Sequence, residues 1–588
     1  MKANKIINEK QVKKFAPKTI GGKFFLFSML ALVFTTVAIY YKSLNNDFTN
    51  WDDPTYITSN PDIRTLHGDS ISYTFNKIFK SYVSGNYHPF TMLSYSIEYS
   101  MFKLNSKPYH VTNLILHILN AILVFYFIWL LTKQKWSAFI TALLFAIHPM
   151  HVESVAWVSE RKDVLYAFFS LAALCFYVKF SFARNRKWIF YSISLLLYIF
   201  AILSKAMAVC IPVVFILIDF FRGRRITLKR ILEKIPFLLI SIVFGIIAII
   251  AQKSVNAIQD NTYHNFFERI MFGSYGTLVY LWKLFIPCNL SCYYSYPIKH
   301  NGIYPGIFYV APFAVIALFF IVYRSLRKGK VIIFGFGFFL ITVALVLQII
   351  AVGGTIISER YTYIQYIGLF FIIAHFINKF IENKTVKLQP YKIPLITALI
   401  AITIMYSYIS FQRTKIWVDS IALWTDAINK YDKEPTSYDL RGNAFYRKEQ
   451  YDNAISDFTK YIYLKNDKAH VYYDRGLCYI ELKKYNEAIN DFNSAIRYKP
   501  NYAFAYYNKG IVYNDLGEFE EAIKCYNNAI KYFPDYSNAY YNRAGAYYIT
   551  HQYQYALADA LKSQQLGYAV DPSFIEAIKS GFNRKDGK

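Results

Sequence analysis

Cysteine is scarce in this chain. Six residues in 588 are too few and too scattered for a dense disulfide framework. Only Cys288 and Cys292 share a loop, and a bridge between them requires that loop to face an oxidising space. Acidic residues are also short, 38 against 65 Lys and Arg, for a formal charge of +27. Such an excess invites a nucleic-acid reading. No basic stripe, zinc spacing or RNA-binding signature is present, however. Much of the excess sits in short loops between apolar runs, at 184–187, 222–230 and 324–330, where membrane topology accounts for it. No nucleic-acid partner is expected. Long apolar runs are missing after residue 412, although 55% of the whole chain is hydrophobic. That asymmetry predicts a membrane domain followed by a soluble one. No small-residue cleavage site follows the first run, 24–41, which therefore reads as an anchor.

A spanning helix needs about 20 apolar residues. Candidates lie at 24–41, 108–131, 136–150, 163–182, 188–204, 206–221, 231–251, 305–323, 331–351, 363–381 and 391–411. A twelfth stretch, 266–287, is apolar but broken by Glu268, Arg269, Gly273, Gly276 and Lys283. If it spanned, the basic stretches 324–330 and 379–392 would fall outside. Treating it as interfacial or re-entrant keeps them inside. Eleven spans follow, with the basic tail 1–23 inside and the carboxyl end outside. The expected class is all-α, a polytopic helix bundle over 24–411, then a helical connector at 412–435.

A 34-residue period begins near 436. Gly442, Gly476, Gly510 and Ala544 repeat at it, as do Ala454, Ala488, Ala522 and Ala556, and Tyr451, Tyr485, Phe519 and Tyr553. Small residues at helix contacts with this period are the tetratricopeptide pattern. Four repeats are expected over 436–570, with 571–588 as a tail that caps them. Tyr473, Tyr507 and Tyr541 recur as well. They read as packing between helices, or as a concave surface that stacks on peptide or sugar.

The outer segments, 42–107, 148–162, 252–304, 352–362 and all after 411, collect the unusual chemistry. They hold Asp52 and Asp53, then His88, then His148, His151 and Glu153, then Glu160, Arg161 and Lys162 beside Asp163, and finally Glu359, Arg360 and Tyr361. Ionisable groups at membrane depth are expensive and mark function. Sugar transfer from a polyprenyl phosphate to a hydroxyl needs a carboxylate base and cations for the leaving phosphate. Asp52 or Asp53 suits the first role, and Arg161, Lys162 and Arg360 the second. The alternatives are structural. The Asp pair caps a turn before Pro54, Glu160 to Asp163 form a solvated helix start, and Glu359–Arg360 is an ion pair at a helix end. His148, His151 and Glu153 resemble metal ligands, but Pro149 interrupts helical spacing. They read as a hydrogen-bonded helix terminus, and no metal site is assigned.

Trp51-Asp52-Asp53-Pro54, the run Tyr109 to Leu114 with His117 and Asn120, His148 to Asp163, Leu203-Ser204-Lys205 and Glu359-Arg360-Tyr361 together resemble the transmembrane-and-tetratricopeptide (TMTC) proteins. These are relatives of the membrane-embedded GT-C protein O-mannosyltransferases. The resemblance implies transfer of mannose from a polyprenyl-phosphate donor to Ser or Thr of proteins on the extracytoplasmic face. It matches Asp52 and Asp53 to the family's paired acidic residues. Tyr87-His88-Pro89 departs from it, with His where Arg is expected. The Lys, Ile, Asn and Tyr bias points to a bacterial inner membrane, or to the endoplasmic reticulum if the source is eukaryotic. Two other readings stand beside the enzyme: a non-catalytic scaffold whose repeats recruit partners, and a transporter.

Overall fold

The computed structural model describes residues 21–66, 71–183, 185–225, 227–255, 264–325, 329–347, 354–383 and 386–586. The basic stretch before residue 21, with Arg184, Arg327 and Lys328, lies outside the described residues. Helices and turns make up what is described, with no β-strand among these residues. The chain divides into two units, Met1–Leu423 and Trp424–Lys588. The division falls inside the stretch read as a connector, within the helix Ser420–Lys430.

The first unit is a multi-pass membrane domain. Helix covers most of each of the eleven expected spans, but among the described residues seven helices are long and apolar enough to cross a bilayer: Gly22–Asn45, Ser106–Thr132, Val158–Phe182, Lys187–Ser204, Ile235–Ser254, Gly306–Arg324 and Leu388–Trp417. An eighth span arises if the bent pair Lys135–Ile147 and Pro149–Ala156, 58° apart, counts as one. Among the described residues, the helices at the other three expected spans are too short. Ala206–Phe221 and Lys330–Val346 are short apolar helices. Tyr366–Glu382 has 17 residues and carries His375 and Lys379. The interrupted stretch forms the helix Phe266–Lys283, started by a capping box between Asn265 and Glu268, and is not among the seven.

Burial separates the centre of this unit from its rim. The apolar windows of Ser106–Thr132 and Val158–Phe182 are 56% and 67% buried, whereas those of Ile235–Ser254 and Gly306–Arg324 are 11% buried. Helices as apolar as the last two are stable so exposed only in a lipid solvent. The segment 42–107, read above as outer, is packed through its described residues. Its helices Ile71–Lys80 and Pro89–Phe102 bury Tyr56, Ile57, Ile63, Ile78, Met92 and Tyr95 against Tyr109 and Val158. That packing fixes where Asp52 and Asp53 lie.

The second unit stacks four helix pairs, from Pro435–Arg447 with Tyr451–Leu464 to Ser537–Ile549 with Tyr553–Gln565. The repeated small residues are explained by ring contacts. A Cβ on Gly442 would meet Phe458 at 2.8 Å, one on Gly476 would meet Phe492 at 2.8 Å, and one on Gly510 would meet Tyr526 at 2.6 Å. In the fourth repeat the small residue is Ala544, and the facing position is Ala560 instead of an aromatic. Volume is conserved across the contact. The Gly476→Ala variant is expected to cost about 1–3 kcal/mol of repeat stability, read as a lower melting temperature. An unchanged melt would show that the Phe492 ring yields freely.

Three repeats also carry the same bidentate pair, Arg441–Asp457, Arg475–Asp491 and Arg543–Asp559, while Lys509 and Cys525 occupy those places in the third. The recurring Tyr residues pack between repeats, as in the first of their two readings. Tyr473 lies 5.1 Å from Tyr502 and accepts a bond from Asn508, and Tyr507 lies 4.7 Å from Tyr536 and accepts one from Asn542. The expected capping tail is a helix, Pro572–Asp586. Its Phe574, Ile575 and Ile578 join the apolar cluster of the last repeat, closing the stack as terminal helices of such arrays do. All six cysteines are free, Cys288 exposed and Cys292 buried.

Candidate functional site

The site begins with a proline. Pro149 cannot continue the helix Lys135–Ile147, and it holds the preceding His148 in an extended conformation at φ −68, ψ 130. The chain then runs through three short turns, Pro149–His151, Val152–Ala156 and Val158–Glu160, before helix Arg161–Phe182 starts. Every residue from His148 to Asp163 is buried. Buried charges of this density are tolerable only when paired.

Glu160 is the hub of the pairing. It lies 3.3 Å from Lys162 Nζ, 3.3 Å from Arg360 Nε and 3.7 Å from Lys205 Nζ. Each cation has a second carboxylate. Lys162 lies 3.4 Å from Asp52, Lys205 lies 2.5 Å from Asp163, and Arg360 lies 2.5 Å from Glu153 and also donates its backbone N–H to it. Trp51, Trp157 and Trp417 stack in series, at 4.6 Å and 5.4 Å between ring centres. The Arg360 guanidinium stands over the first two rings and over Tyr361, whose ring also faces Lys205. Three cations from three distant stretches thus converge on one carboxylate.

The two neighbouring aspartates differ sharply. Asp53 is buried, and both its oxygens are filled. Thr49 donates its N–H at 2.7 Å and its hydroxyl at 3.1 Å to one, and Ser159 donates its N–H at 3.0 Å and its hydroxyl to the other. Burial nonetheless pushes its pKa up to about 6. This carboxylate fastens the first outer segment to the turn before helix Arg161–Phe182. The Asp52 side chain stays 30% exposed, with Lys162 beside it.

The remaining residues sort by what they touch. Arg161 is fully buried. It bonds Glu98 at 3.0 Å, Asn113 at 2.5 Å and the Tyr109 carbonyl at 2.8 Å, over the Tyr95 ring. It is neither the solvated helix start nor an open phosphate ligand of the sequence reading. His88 is buried against Tyr56, and burial, with Lys162 and Lys205, lowers its pKa to about 3. It is neutral and cannot replace an arginine charge. His148 and His151 bond the Leu284 and Phe145 carbonyls at 3.1 and 2.8 Å among aromatic rings, and Glu153 is committed to Arg360. Glu359 does not pair with adjacent Arg360. It takes Arg413 at 2.9 Å and the Tyr294 hydroxyl at 2.9 Å.

Sequence reasoning missed Glu98 and Arg413, and named Asn113 and Lys205 within the motifs that carry the family resemblance without placing either among the site residues. Arg413 closes the last membrane helix and looks there like a topological charge. Among the described residues one set of metal-capable groups stands together, Asp439, His470 and Asp474, in the repeats and away from these residues in sequence.

Two tetratricopeptide repeat models match residues 435–468 and 503–536, and a third TPR repeat model matches 476–517. Protein O-mannosyl-transferase F38B6.6 of Caenorhabditis elegans is 30% identical over 294 residues, 48% of this chain and 41% of that protein. Human protein O-mannosyl-transferase TMTC2 is 30% identical over 208 residues, 34% of this chain and 24% of that one. Mouse TMTC3 is 32% identical over 154 residues, 25% and 16% of the two chains. The chain spans less than half the length of each relative. The crystal structure of MamA covers 29% of this chain and 90% of its own, at 21% identity and a TM-score of 0.24. The chain is therefore similar to the TMTC protein O-mannosyl-transferases and carries tetratricopeptide repeats of its own.

Proposed function

We propose that this chain is a GT-C membrane glycosyltransferase that moves a sugar, mannose by its likeness to the TMTC proteins, from a polyprenyl-phosphate carrier to Ser or Thr of proteins. One observation carries the reading. In the membrane unit an accessible carboxylate, Asp52, stands beside Lys162, one of three cations, with Lys205 and Arg360, gathered on Glu160. Asp52 takes the acceptor hydroxyl proton as the new glycosidic bond forms at the sugar's anomeric carbon. The bond from that carbon to the phosphate oxygen breaks, and the carrier leaves as polyprenyl phosphate. Lys162, Lys205 and Arg360 stabilise its growing charge, the guanidinium offering a fork to two phosphate oxygens. Asp53, Arg161, Glu153 and Glu359 hold these groups in place. The repeats over 436–570 present the acceptor segment. The site and the repeats face the side away from the cytoplasm, in a bacterial inner membrane.

The test is transfer of radiolabelled mannose from polyprenyl-phosphate mannose to membrane protein by the purified full chain. Label on Ser or Thr supports the reading. No label above background, with no retention of the donor, would move the chain to the scaffold reading.

A further inference from the structure

The charged groups of the membrane unit gather at two levels. Helix Lys187–Ser204 connects them. Lys187 at its start lies 3.3 Å from Glu233, and Lys205 just past its end lies 2.5 Å from Asp163. Eighteen residues at about 1.5 Å each separate the levels by roughly 27 Å, close to the hydrocarbon thickness of a bilayer. Helix Arg161–Phe182 repeats the relation, with Asp163 in its first turn and Tyr177 in its last turns donating to Asp219 at 3.0 Å. The second cluster therefore stands at the headgroup level of the leaflet opposite Asp52.

That cluster surrounds a cavity of about 250 Å³ lined by Arg224, Arg225, Arg230 and Lys234, with Ile216 and Leu238 among its apolar walls. Two carboxylates oppose these cations. Asp219 takes Arg224 at 2.5 Å and Lys234 at 2.7 Å, and Glu233 takes Arg230 at 2.9 Å as well as Lys187. Positive charge is left over. Arg224 Nη2 is buried without a hydrogen bond, 3.7 Å from Glu233, and Arg225 is exposed with no carboxylate at ion-pair distance among the described residues. Surplus guanidinium groups at headgroup depth suit a phosphate, because their planar forks match its oxygens. The apolar walls suit acyl chains. Ile216 on one wall is 41% exposed, and a free inorganic ion has no use for it.

We propose that this cavity binds the headgroup phosphate of an anionic phospholipid in the leaflet opposite the Asp52 site. The lipid's phosphate sits against Arg224 and Arg225, and its chains lie along the wall of Ile216 and Leu238. This site is independent of the proposed sugar transfer.

Native mass spectrometry of the full chain in neutral detergent tests it, with phosphatidylglycerol and phosphatidylcholine offered at equal concentration. The wild type is expected to retain phosphatidylglycerol in clear preference. Retention should fall roughly fivefold for each cation removed, in Arg225→Gln and again in Arg225→Gln/Arg230→Gln. Among the described residues Arg225 has no ion pair to lose, so that variant should melt like the wild type in lipid-free detergent. Equal retention of the two lipids, or unchanged phosphatidylglycerol retention in both variants, overturns the proposal. So does displacement of the lipid by millimolar inorganic phosphate, which would assign the cavity to the free ion.

Discussion

The Asp52→Asn variant is expected to lose sugar transfer by about 10²–10⁴-fold while melting like the wild type. The Asp52 side chain is 30% exposed, with one ion-pair partner at 3.4 Å, so an isosteric amide costs the fold little and removes only the proton acceptor. Asp53→Asn should behave in the opposite way. Both Asp53 oxygens accept from backbone N–H groups, of Thr49 and Ser159. An amide has one oxygen, so its NH₂ must confront one of those donors. A buried donor left unpaired costs about 1–3 kcal/mol, and the first outer segment should loosen. Transfer by Asp53→Asn then falls because the site is misplaced, and its loss should track the drop in melting temperature. Full transfer by Asp52→Asn at normal protein level would remove the catalytic reading. An Asp53→Asn melt equal to wild type would show that this carboxylate does not hold the segment.

The Arg360→Ala variant is expected to be the most damaging to stability in the membrane unit, by about 3–5 kcal/mol. It leaves Glu153 without its guanidinium partner, deep in the protein where water cannot replace it, and takes one of three cations from Glu160. It also uncovers the indoles of Trp51 and Trp157. Arg360→Lys separates the two roles. Its point charge can still serve one carboxylate, so the variant should fold, but it has no fork for a phosphate. Donor KM should rise in Arg360→Lys with a smaller change in kcat. Thermal unfolding in detergent and donor titration read the two effects. A wild-type melt for Arg360→Ala would contradict the buried network.

Some of this was legible without coordinates because it rests on local regularities. Apolar run length marked the membrane helices, and a 34-residue period marked the repeats, since each repeat needs the same small residue where its two helices meet. The span count was less legible. A length rule does not see that Pro149 bends one candidate, or that Ala206–Phe221 and Lys330–Val346 are shorter helices among the described residues. The tail was read as a cap but not as the helix Pro572–Asp586, because its apolar residues Phe574, Ile575 and Ile578 fall outside the repeat period.

The residue types of the site were visible in the sequence as well: carboxylates and cations clustered at the predicted outer ends of apolar helices, where a charge is costly unless it has a task. Their roles were decided only by the tertiary structure. Asp52 and Asp53 are chemically identical neighbours, and it is packing of the first outer segment that buries one against Ser159 and leaves the other open beside Lys162. Arg161 and Lys162 likewise differ by one position, yet the helix turns the first inward to Glu98 and the second toward Asp52. The reason is that ion pairing at membrane depth is a long-range choice. Glu359 pairs with Arg413, 54 residues away, and not with adjacent Arg360, because side-chain direction and burial outweigh nearness along the chain.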